Sequence, residues 1–329
     1  MSRVPLSLSC VAYDRTRALF DGRVTVAGCD LYPVAMSPEE AFHRNFRHQE
    51  FDVTELSMSS YMVQLAEGRC PYVGIPVFPS RLFRHSSLYI RTDRGIARPE
   101  DLRGRIVGVP EYQMTVALWM RGILADQYGV QPEEMRWRSG GLEEPGRGNV
   151  VSINLPEGVD LRPIPEGETL SGQLASGAID ALLSARAPSC FGRVPEVVRL
   201  FPDYRAAEEA YFRETRIFPI MHLVGIRRSL VERFPWLPVN VQMAFEEAKR
   251  LCLIDNAKIG HLYTTLPWAV DELERTRALM GYDFWPYGAA ANAHVLERMT
   301  HYAWSQGLTV RQLAVEELFP ASVQDLAKV

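Results

Sequence analysis

Basic side chains are concentrated between Phe78 and Ser87, in a segment that follows one predicted strand and precedes another. Arg81 and Arg84 lie in this segment, and the adjoining His85 adds a titratable group. A guanidinium group carries parallel N–H donors that match the two oxygens of a carboxylate, so both arginines are candidates for binding an organic anion. The alternative is a solvated basic loop, which is the commoner role of such a run.

Two strand ends further along the chain carry similar candidates. Glu111 and Tyr112 follow the predicted strand 105–109 and precede a helix, whose first N–H groups could hold a carboxylate. Glu111 could act there as a base, although a carboxylate that only interacts with the helix dipole is the commoner case. Ser184 and Arg186 stand at the end of a later strand, which adds a third arginine to the candidates.

One histidine and one aromatic loop complete the set. His222 lies in the very apolar stretch 217–222. Such a histidine is more often a core residue than a catalyst, but a partly buried histidine with a shifted pKa would suit proton transfer. Trp285 belongs to the aromatic loop 283–288, which could line a pocket for a flat ligand or simply pack against the core.

Sequence motifs for nucleotide binding, for a serine nucleophile and for a zinc protease are absent from the chain. The five cysteines are isolated from one another and have no metal-binding spacing. His294 and His301 are seven residues apart and would share a helix face, but no carboxylate or cysteine cluster accompanies them. We therefore predict no metal site and interpret these two histidines as surface or packing residues.

The overall composition limits the possible partners. The 329 residues are 47% hydrophobic and 23% charged, which is typical of a globular protein with a substantial core. A net charge of −4 gives no attraction to nucleic acid or to an anionic membrane. The apolar segment before Cys10 is too short for a lipoprotein signal peptide and predicts a strand. Together with the isolated cysteines, this predicts a cytoplasmic protein.

The pattern of apolar residues predicts strands that alternate with helices. Ser37 and Pro38, followed by two glutamates, predict the start of a helix. A short strand is expected over 51–56, with Glu55 near its end, and a long helix over 115–128. This alternation predicts an α/β fold with largely parallel sheets, which bind ligands at the carboxyl ends of their strands.

Eight segments, in order along nearly the whole chain, resemble the 4,5-dihydroxyphthalate decarboxylase family. They are IPVFPSRLFRHSSLYIR (75–91), DLRGRIVGVPEY (101–112), EEPGRGN (143–149), IDALLSARAP (179–188), VVRLFPDYRAAEEAYF (197–212), IFPIMH (217–222), AFEEAKR (244–250) and DFWPYG (283–288). The resemblance implies a type II periplasmic-binding-protein-like fold, in which two α/β lobes enclose a ligand cleft.

The implied fold divides the chain into two lobes. Lobe I is expected to hold residues 1–90 and 217–329, and lobe II to hold residues 91–216 as an insertion. The crossover strands are expected at 87–91 and 217–222. Two sets of side chains would then face each other across the cleft: Arg81, Arg84, His85 and His222 on one side, and Glu111, Tyr112 and Arg186 on the other.

The resemblance also implies an activity, the conversion of 4,5-dihydroxyphthalate to protocatechuate and CO2 in phthalate catabolism, without a metal or an organic cofactor. His222 is then expected to donate a proton, and Glu111 or His85 to accept one. The expected substrate-binding residues are Arg81, Arg84, Arg186, Arg147, Tyr112, Ser184 and Trp285. The only expected partner is a small aromatic carboxylate, and a homo-oligomer is compatible with the sequence.

Two other functions share this fold class. A solute-binding protein for a small aromatic carboxylate would have the same two lobes without catalysis. Such a protein needs a signal peptide for export, and the sequence predicts none. The pyrimidine-forming branch of thiamin-precursor synthases is the second alternative. The chain lacks the cysteine-rich cluster that this branch uses, which disfavours it.

Overall fold

Eleven strands form two β-sheets in the computed structural model, which describes residues 3–146, 155–324 and 326. The strands are β1 (Val4–Cys10), β2 (Cys29–Ala35), β3 (Val53–Ser57), β4 (Tyr72–Arg81), β5 (Leu88–Arg91), β6 (Ile106–Val109), β7 (Arg136–Ser139), β8 (Asp160–Pro163), β9 (Ala181–Leu183), β10 (Val197–Arg199) and β11 (Ile220–Arg227). The helices are α1 (Arg17–Phe20), α2 (Pro38–His48), α3 (Met58–Ala66), α4 (Thr115–Tyr128), α5 (Leu170–Ser176), α6 (Tyr204–Thr215), α7 (Arg228–Arg233), α8 (Leu237–Asn256), α9 (Ala269–Met280), α10 (Ala293–Ser305) and α11 (Ala321–Gln324).

The chain passes from the first sheet to the second and then returns. The first sheet has the order β2-β1-β3-β11-β4 and the second the order β10-β5-β9-β6-β7-β8. The adjacent pairs among β1, β2 and β3 are parallel, as are those among β6, β7, β8 and β9, whereas β11 and β5 are antiparallel to their neighbours. The predicted α/β fold is confirmed. The lobe boundaries stay a prediction, and the chain has already entered the second sheet at Leu88.

The antiparallel direction of β11 determines which chain ends meet. Strands β1 and β3 finish at one edge of the first sheet, and an antiparallel strand between β3 and β4 begins at that same edge. The start of β11 therefore places His222 opposite Ser57 on one neighbour and Ser80 on the other. Side chains from three separate parts of the sequence are brought to one edge of the sheet in this way.

Two prolines interrupt the pairing of β4 with β11. The register moves from Ser80 opposite His222 to Ile75 opposite Val224, so β4 has extra residues in between. Pro76 and Pro79 lie in that interval and have no N–H to donate to a neighbouring strand. Irregularities of this kind redirect nearby side chains, and this one lies beside His222.

Carbonyl groups of this irregular stretch are satisfied by other parts of the chain. The N–H of Gly288 donates to the carbonyl of Pro76 at 2.8 Å, and the indole of Trp285 donates to the carbonyl of Phe78 at 2.9 Å. Arg15 Nε donates to the carbonyl of Pro79 at 2.6 Å. The aromatic loop 283–288 is thus fastened to β4.

Helix α4 is clamped by the C-terminal part of the chain. The rings of Trp119 and Tyr302 pack edge to face at 5.7 Å. The side-chain oxygen of Gln306 accepts from Arg121 Nε, and its side-chain nitrogen donates to the carbonyl of Leu118. A Cβ at Gly122 would lie 2.2 Å from the Tyr302 ring, so only glycine permits this close approach. These contacts hold the middle of α4 against α10, and the indole of Trp119 donates to the carbonyl of Ile220 at the start of β11 at 2.8 Å.

Several predicted local features are confirmed. Helix α4 spans 115–128 as predicted, and α2 begins at Pro38 with the Ser37 side chain accepting from the N–H of Glu40 at 3.4 Å. The predicted strand at 51–56 is β3, which begins and ends slightly later. Within the described ranges, none of the helices has the length and apolar character needed to cross a membrane.

Arg81 joins three segments in the interior. One terminal nitrogen donates to the carbonyl of Phe218 at 3.0 Å, and the other donates to the carbonyl of Pro286 at 2.7 Å and to the side-chain oxygen of Asn292. Burial lowers the pKa of Arg81 to about 9. The protein itself occupies both terminal nitrogens, which corrects the expectation that Arg81 binds substrate.

Replacement of Arg81 by methionine should therefore lower stability. The Arg81→Met variant removes the guanidinium that donates to two partly buried carbonyls and to the buried side-chain oxygen of Asn292, so we expect the free energy of unfolding to fall by about 3 kcal/mol. Urea unfolding followed by circular dichroism measures this loss. The matched control is Arg162→Met at an exposed position, where we expect a change of at most about 0.5 kcal/mol. Unaltered stability of Arg81→Met with weakened substrate binding would contradict this structural role.

Candidate active site

A cavity of about 260 Å³ lies between the edge of the first sheet and the start of α4. The first sheet and its connections contribute Tyr13, Phe42, Ser57, Ser80, Arg84 and His222 to its wall, among others. The second sheet and α4 contribute Glu111, Gln113, Thr115 and Ala185. A wider opening of about 750 Å³ shares Glu39 and Glu111 with the cavity and also contacts Arg186.

A buried carboxylate holds the histidine of this cavity. Glu55 is fully buried, and its Oε1 lies 2.6 Å from His222 Nδ1. Burial alone would raise the pKa of Glu55, but the hydrogen bond and charge interaction with His222 outweigh it and hold this pKa below its usual range. An ionised Glu55 accepts a hydrogen bond from Nδ1, so Nε2 is the ring nitrogen left for a ligand. Phe42 packs edge to face against the imidazole at 4.9 Å.

Three further donors stabilise the charge of Glu55. The hydroxyl of Tyr13 donates to Oε1 at 2.9 Å, and the N–H of Val11 donates to Oε2 at 3.1 Å. The thiol of Cys10 lies 3.3 Å from Oε2. A buried carboxylate is tolerated only when it is bonded in this way, so these groups explain how a charge persists inside the first sheet.

Two helices begin at the cavity wall. Ser57 caps α3, and Thr115 is the first residue of α4. Their hydroxyl groups lie 3.1 Å apart, and the Thr115 hydroxyl also accepts from the N–H of Ser59. Met114, at the cap position of α4, provides no side-chain acceptor for the first N–H groups. Since an uncapped helix start carries partial positive charge, this wall of the cavity suits an anion.

Arg84 adds a full positive charge to the same cavity. It is 7% exposed and its Nε lies 3.1 Å from the sulfur of Met221. Burial lowers the pKa of Arg84 to about 10, which still leaves the guanidinium protonated at neutral pH. The charge of Glu208 favours the protonated guanidinium, but no described carboxylate forms a salt bridge with Arg84, so its terminal nitrogens can serve a bound carboxylate.

Glu111 supplies a carboxylate from the second sheet's side. It is 3% exposed, it lines both the cavity and the wider opening, and its Oε2 accepts from the amide of Gln113 at 2.8 Å. The structure therefore brings together three predicted site residues, His222, Arg84 and Glu111.

His85 does not line the cavity. It is completely buried between Phe201 and Tyr211, with ring centroids at 5.1 and 5.6 Å. Burial lowers the pKa of His85 to about 4, so the ring is neutral at physiological pH. The expectation that His85 accepts a substrate proton is corrected, because it contacts the core instead of the cavity.

Other predicted binding residues lie behind the wall or outside it. Tyr112 is buried under the guanidinium of Arg121, which lies 3.7 Å from its ring centroid. Ser184 is buried, and its hydroxyl accepts from the N–H of Arg186 at 3.3 Å. The Trp285 ring stacks on Arg15 at 4.1 Å. None of these three lines the cavity, so we correct their assignment as direct substrate ligands.

Arg186 lies at the wider opening, where its largely exposed side chain pairs with Glu39 at 3.5 Å. It is therefore placed at an entrance instead of in the cavity itself. Arg147 lies outside the described residues.

Sequence reasoning missed Glu55, Tyr13 and Phe42. A signal was available for Glu55, because a carboxylate inside a buried strand requires a partner that bonds it. Tyr13 and Phe42 gave no such signal, since their contacts depend on how the first sheet is assembled.

Comparison with known proteins places the chain among decarboxylases by sequence. A 4,5-dihydroxyphthalate decarboxylase of Comamonas testosteroni is 46% identical over 326 residues, which cover 98% of this chain and 99% of that protein. One of Pseudomonas putida is 46% identical over 214 residues, or 65% of this chain and 83% of that protein. A scan against protein-family models found no match.

Solved structures support the fold. The periplasmic sulfonate-binding protein SsuA of Methylobacillus flagellatus has a TM-score of 0.56 at 13% identity and covers 97% of this chain and 92% of its own. SsuA of Escherichia coli has a TM-score of 0.54 at 12% identity and covers 98% of this chain and 99% of its own. These neighbours confirm the two-lobed periplasmic-binding-protein fold. The near full-length identity with the Comamonas enzyme shows that the chain belongs to the 4,5-dihydroxyphthalate decarboxylase family.

Proposed function

We propose that this protein removes CO2 non-oxidatively from a hydroxylated aromatic dicarboxylate, converting 4,5-dihydroxyphthalate to protocatechuate. The observation that carries this proposal is the His222–Glu55 pair, which faces a cavity that also contains Arg84 and Glu111. Two family members of 46% identity bear the name of this activity.

The chemistry of the substrate defines what the site has to do. Each carboxylate of 4,5-dihydroxyphthalate has a ring hydroxyl para to it. Removal of the hydroxyl proton pushes electron density towards the carbon that bears the carboxylate, and that carbon then accepts a proton. The C–C bond to the carboxylate breaks, CO2 leaves, and the ring electrons restore aromaticity. One proton is therefore delivered to carbon, and one is withdrawn from oxygen and later returned.

The cavity offers two positively polarised groups for the carboxylates. Arg84 has terminal nitrogens free of ion pairs with described residues, and the uncapped start of α4 contributes backbone N–H groups near Thr115 and Val116. Together they can anchor the carboxylate that stays on the ring. Anchoring fixes the other carboxylate and its carbon beside His222, which converts proton transfer into a positioned step.

His222 is the proposed proton donor to carbon. Its Nε2 is the available nitrogen, and the ionised Glu55 stabilises the imidazolium from which the proton comes. Glu55 is fully buried, so it orients the ring without reaching the substrate. Glu111 is the proposed acceptor of the hydroxyl proton, because it lines the cavity from the opposite lobe.

A solute-binding role without catalysis is the alternative. The sulfonate-binding neighbours share the fold but are less than 25% identical, so they support only the architecture. A paired histidine and carboxylate at the cavity wall favour catalysis over simple binding, because binding a dianion requires no proton carrier. We further propose that the reaction needs no metal or organic cofactor and that the protein works in the cytoplasm.

Turnover of a candidate substrate tests the proposed function. Purified protein treated with a chelator should release one CO2 per protocatechuate from 4,5-dihydroxyphthalate, whereas phthalate, which lacks both hydroxyls, should give no CO2. Gas release and chromatography of the product measure this. Tight binding of 4,5-dihydroxyphthalate without CO2 would favour the solute-binding alternative. Activity that returns only after a metal is added would contradict cofactor independence.

Replacement of Arg84 by lysine tests the carboxylate anchor. Arg84→Lys keeps the positive charge but loses the two-pronged donor geometry, so we expect KM for 4,5-dihydroxyphthalate to rise about tenfold. Steady-state kinetics measure it. The control is Arg162→Lys on the exposed surface, for which KM should stay unchanged. An unaltered KM in Arg84→Lys would show that this arginine does not hold the substrate carboxylate.

A further inference from the structure

Two donors share one oxygen of Glu55. The hydroxyl of Tyr13 lies 2.9 Å from Oε1, and His222 Nδ1 lies 2.6 Å from the same atom. We propose that Tyr13 is a positioning residue that sets the basicity of His222 through Glu55. This inference rests on the proposed function, in which His222 donates a proton to the substrate and its proton affinity therefore matters.

Tyr13 is held firmly in the position that this role requires. The guanidinium of Arg15 lies between two aromatic rings, 4.0 Å from the centroid of Tyr13 and 4.1 Å from that of Trp285. Arg15 Nε also donates to the carbonyl of Pro79, in the irregular stretch of β4. Trp285 therefore affects the site indirectly: it stacks on Arg15, which in turn stacks on Tyr13.

The hydroxyl of Tyr13 remains a donor under working conditions. Burial, and then the negative charge of Glu55, raise the pKa of Tyr13 well above its usual range. A neutral hydroxyl that donates to Oε1 draws electron density from the carboxylate oxygen that also bonds His222. The imidazolium is then stabilised less than it would be by Glu55 alone. Because both donors share this oxygen, the hydroxyl of Tyr13 weakens the hold of Glu55 on the imidazolium proton, which makes that proton easier to transfer.

The other charged and titratable groups around His222 are unchanged when this hydroxyl is removed. They are Glu55 on β3, Cys10 at the end of β1, Glu39 on α2, Arg84 after β4 and Glu111 before α4. Arg84 disfavours a second positive charge in the cavity, and the carboxylates favour it. A Tyr13→Phe variant keeps all of them together with the aromatic ring, so it isolates the effect of one hydrogen bond.

The experiment compares the titration of His222 in the native protein with that in Tyr13→Phe. NMR of the ligand-free protein should show the pKa of His222 raised by about half a unit to one unit in the variant. The alkaline limb of the kcat profile, where His222 loses its proton, should move upwards by the same amount. The matched control is Tyr32→Phe, which removes an exposed hydroxyl and should leave both quantities unchanged.

An unchanged His222 titration in Tyr13→Phe would overturn the inference. A raised KM with an unmoved titration would also overturn it, because Tyr13 would then act by contacting the substrate. The NMR titration requires no turnover, which separates this inference from the proposed function. If the His222 pKa rises while neither protein decarboxylates 4,5-dihydroxyphthalate, Tyr13 still controls His222 and only the proposed function fails.

Discussion

The contact between Glu55 and His222 is the interaction on which the organisation of the site depends. A carboxylate with no exposed surface in the middle of a sheet is costly unless it is ionised and fully bonded. Here the backbone of Val11, the thiol of Cys10, the hydroxyl of Tyr13 and the imidazole supply the bonds. The first sheet therefore contains a fixed negative charge whose titratable cationic partner, His222, faces the cavity.

The rest of the fold forms a cavity beside this pair. The antiparallel strand β11 brings His222 to the edge where β1 and β3 end, and the prolines of β4 loosen the pairing next to it. Helix α10 packs against α4 through Tyr302, and the uncapped start of α4 completes the opposite wall. The sulfonate-binding neighbours show that this fold does not itself dictate an activity, which comes from the particular residues at the cleft.

Local signals in the sequence predicted the longer elements and part of the candidate site. The α/β alternation, the start of α2 and the extent of α4 followed from apolar spacing and capping residues. The short strands β7, β8 and β10 were not predicted, because three or four residues are too few to show the alternation of apolar and polar side chains that indicates a strand.

Positions at the cavity were predictable for His222, Arg84 and Glu111 from their places near the ends of strands. Arg81 and His85 lie in the same basic segment as Arg84, yet both point into the interior. Their direction depends on the interrupted register of β4 and on contacts with segments more than one hundred residues away. No pattern within the segment contains that information.

A double-mutant cycle on kcat tests most directly the claim that Glu55 and His222 act as one unit in proton transfer. We expect His222→Gln to lower kcat for 4,5-dihydroxyphthalate by about 10²–10⁴-fold. Adding Glu55→Gln to that variant should then cost almost nothing more, since the carboxylate acts only through the imidazole. Near-normal turnover in His222→Gln, or losses in kcat that multiply in the double variant, would show that Glu55 and His222 do not act as one unit in proton transfer.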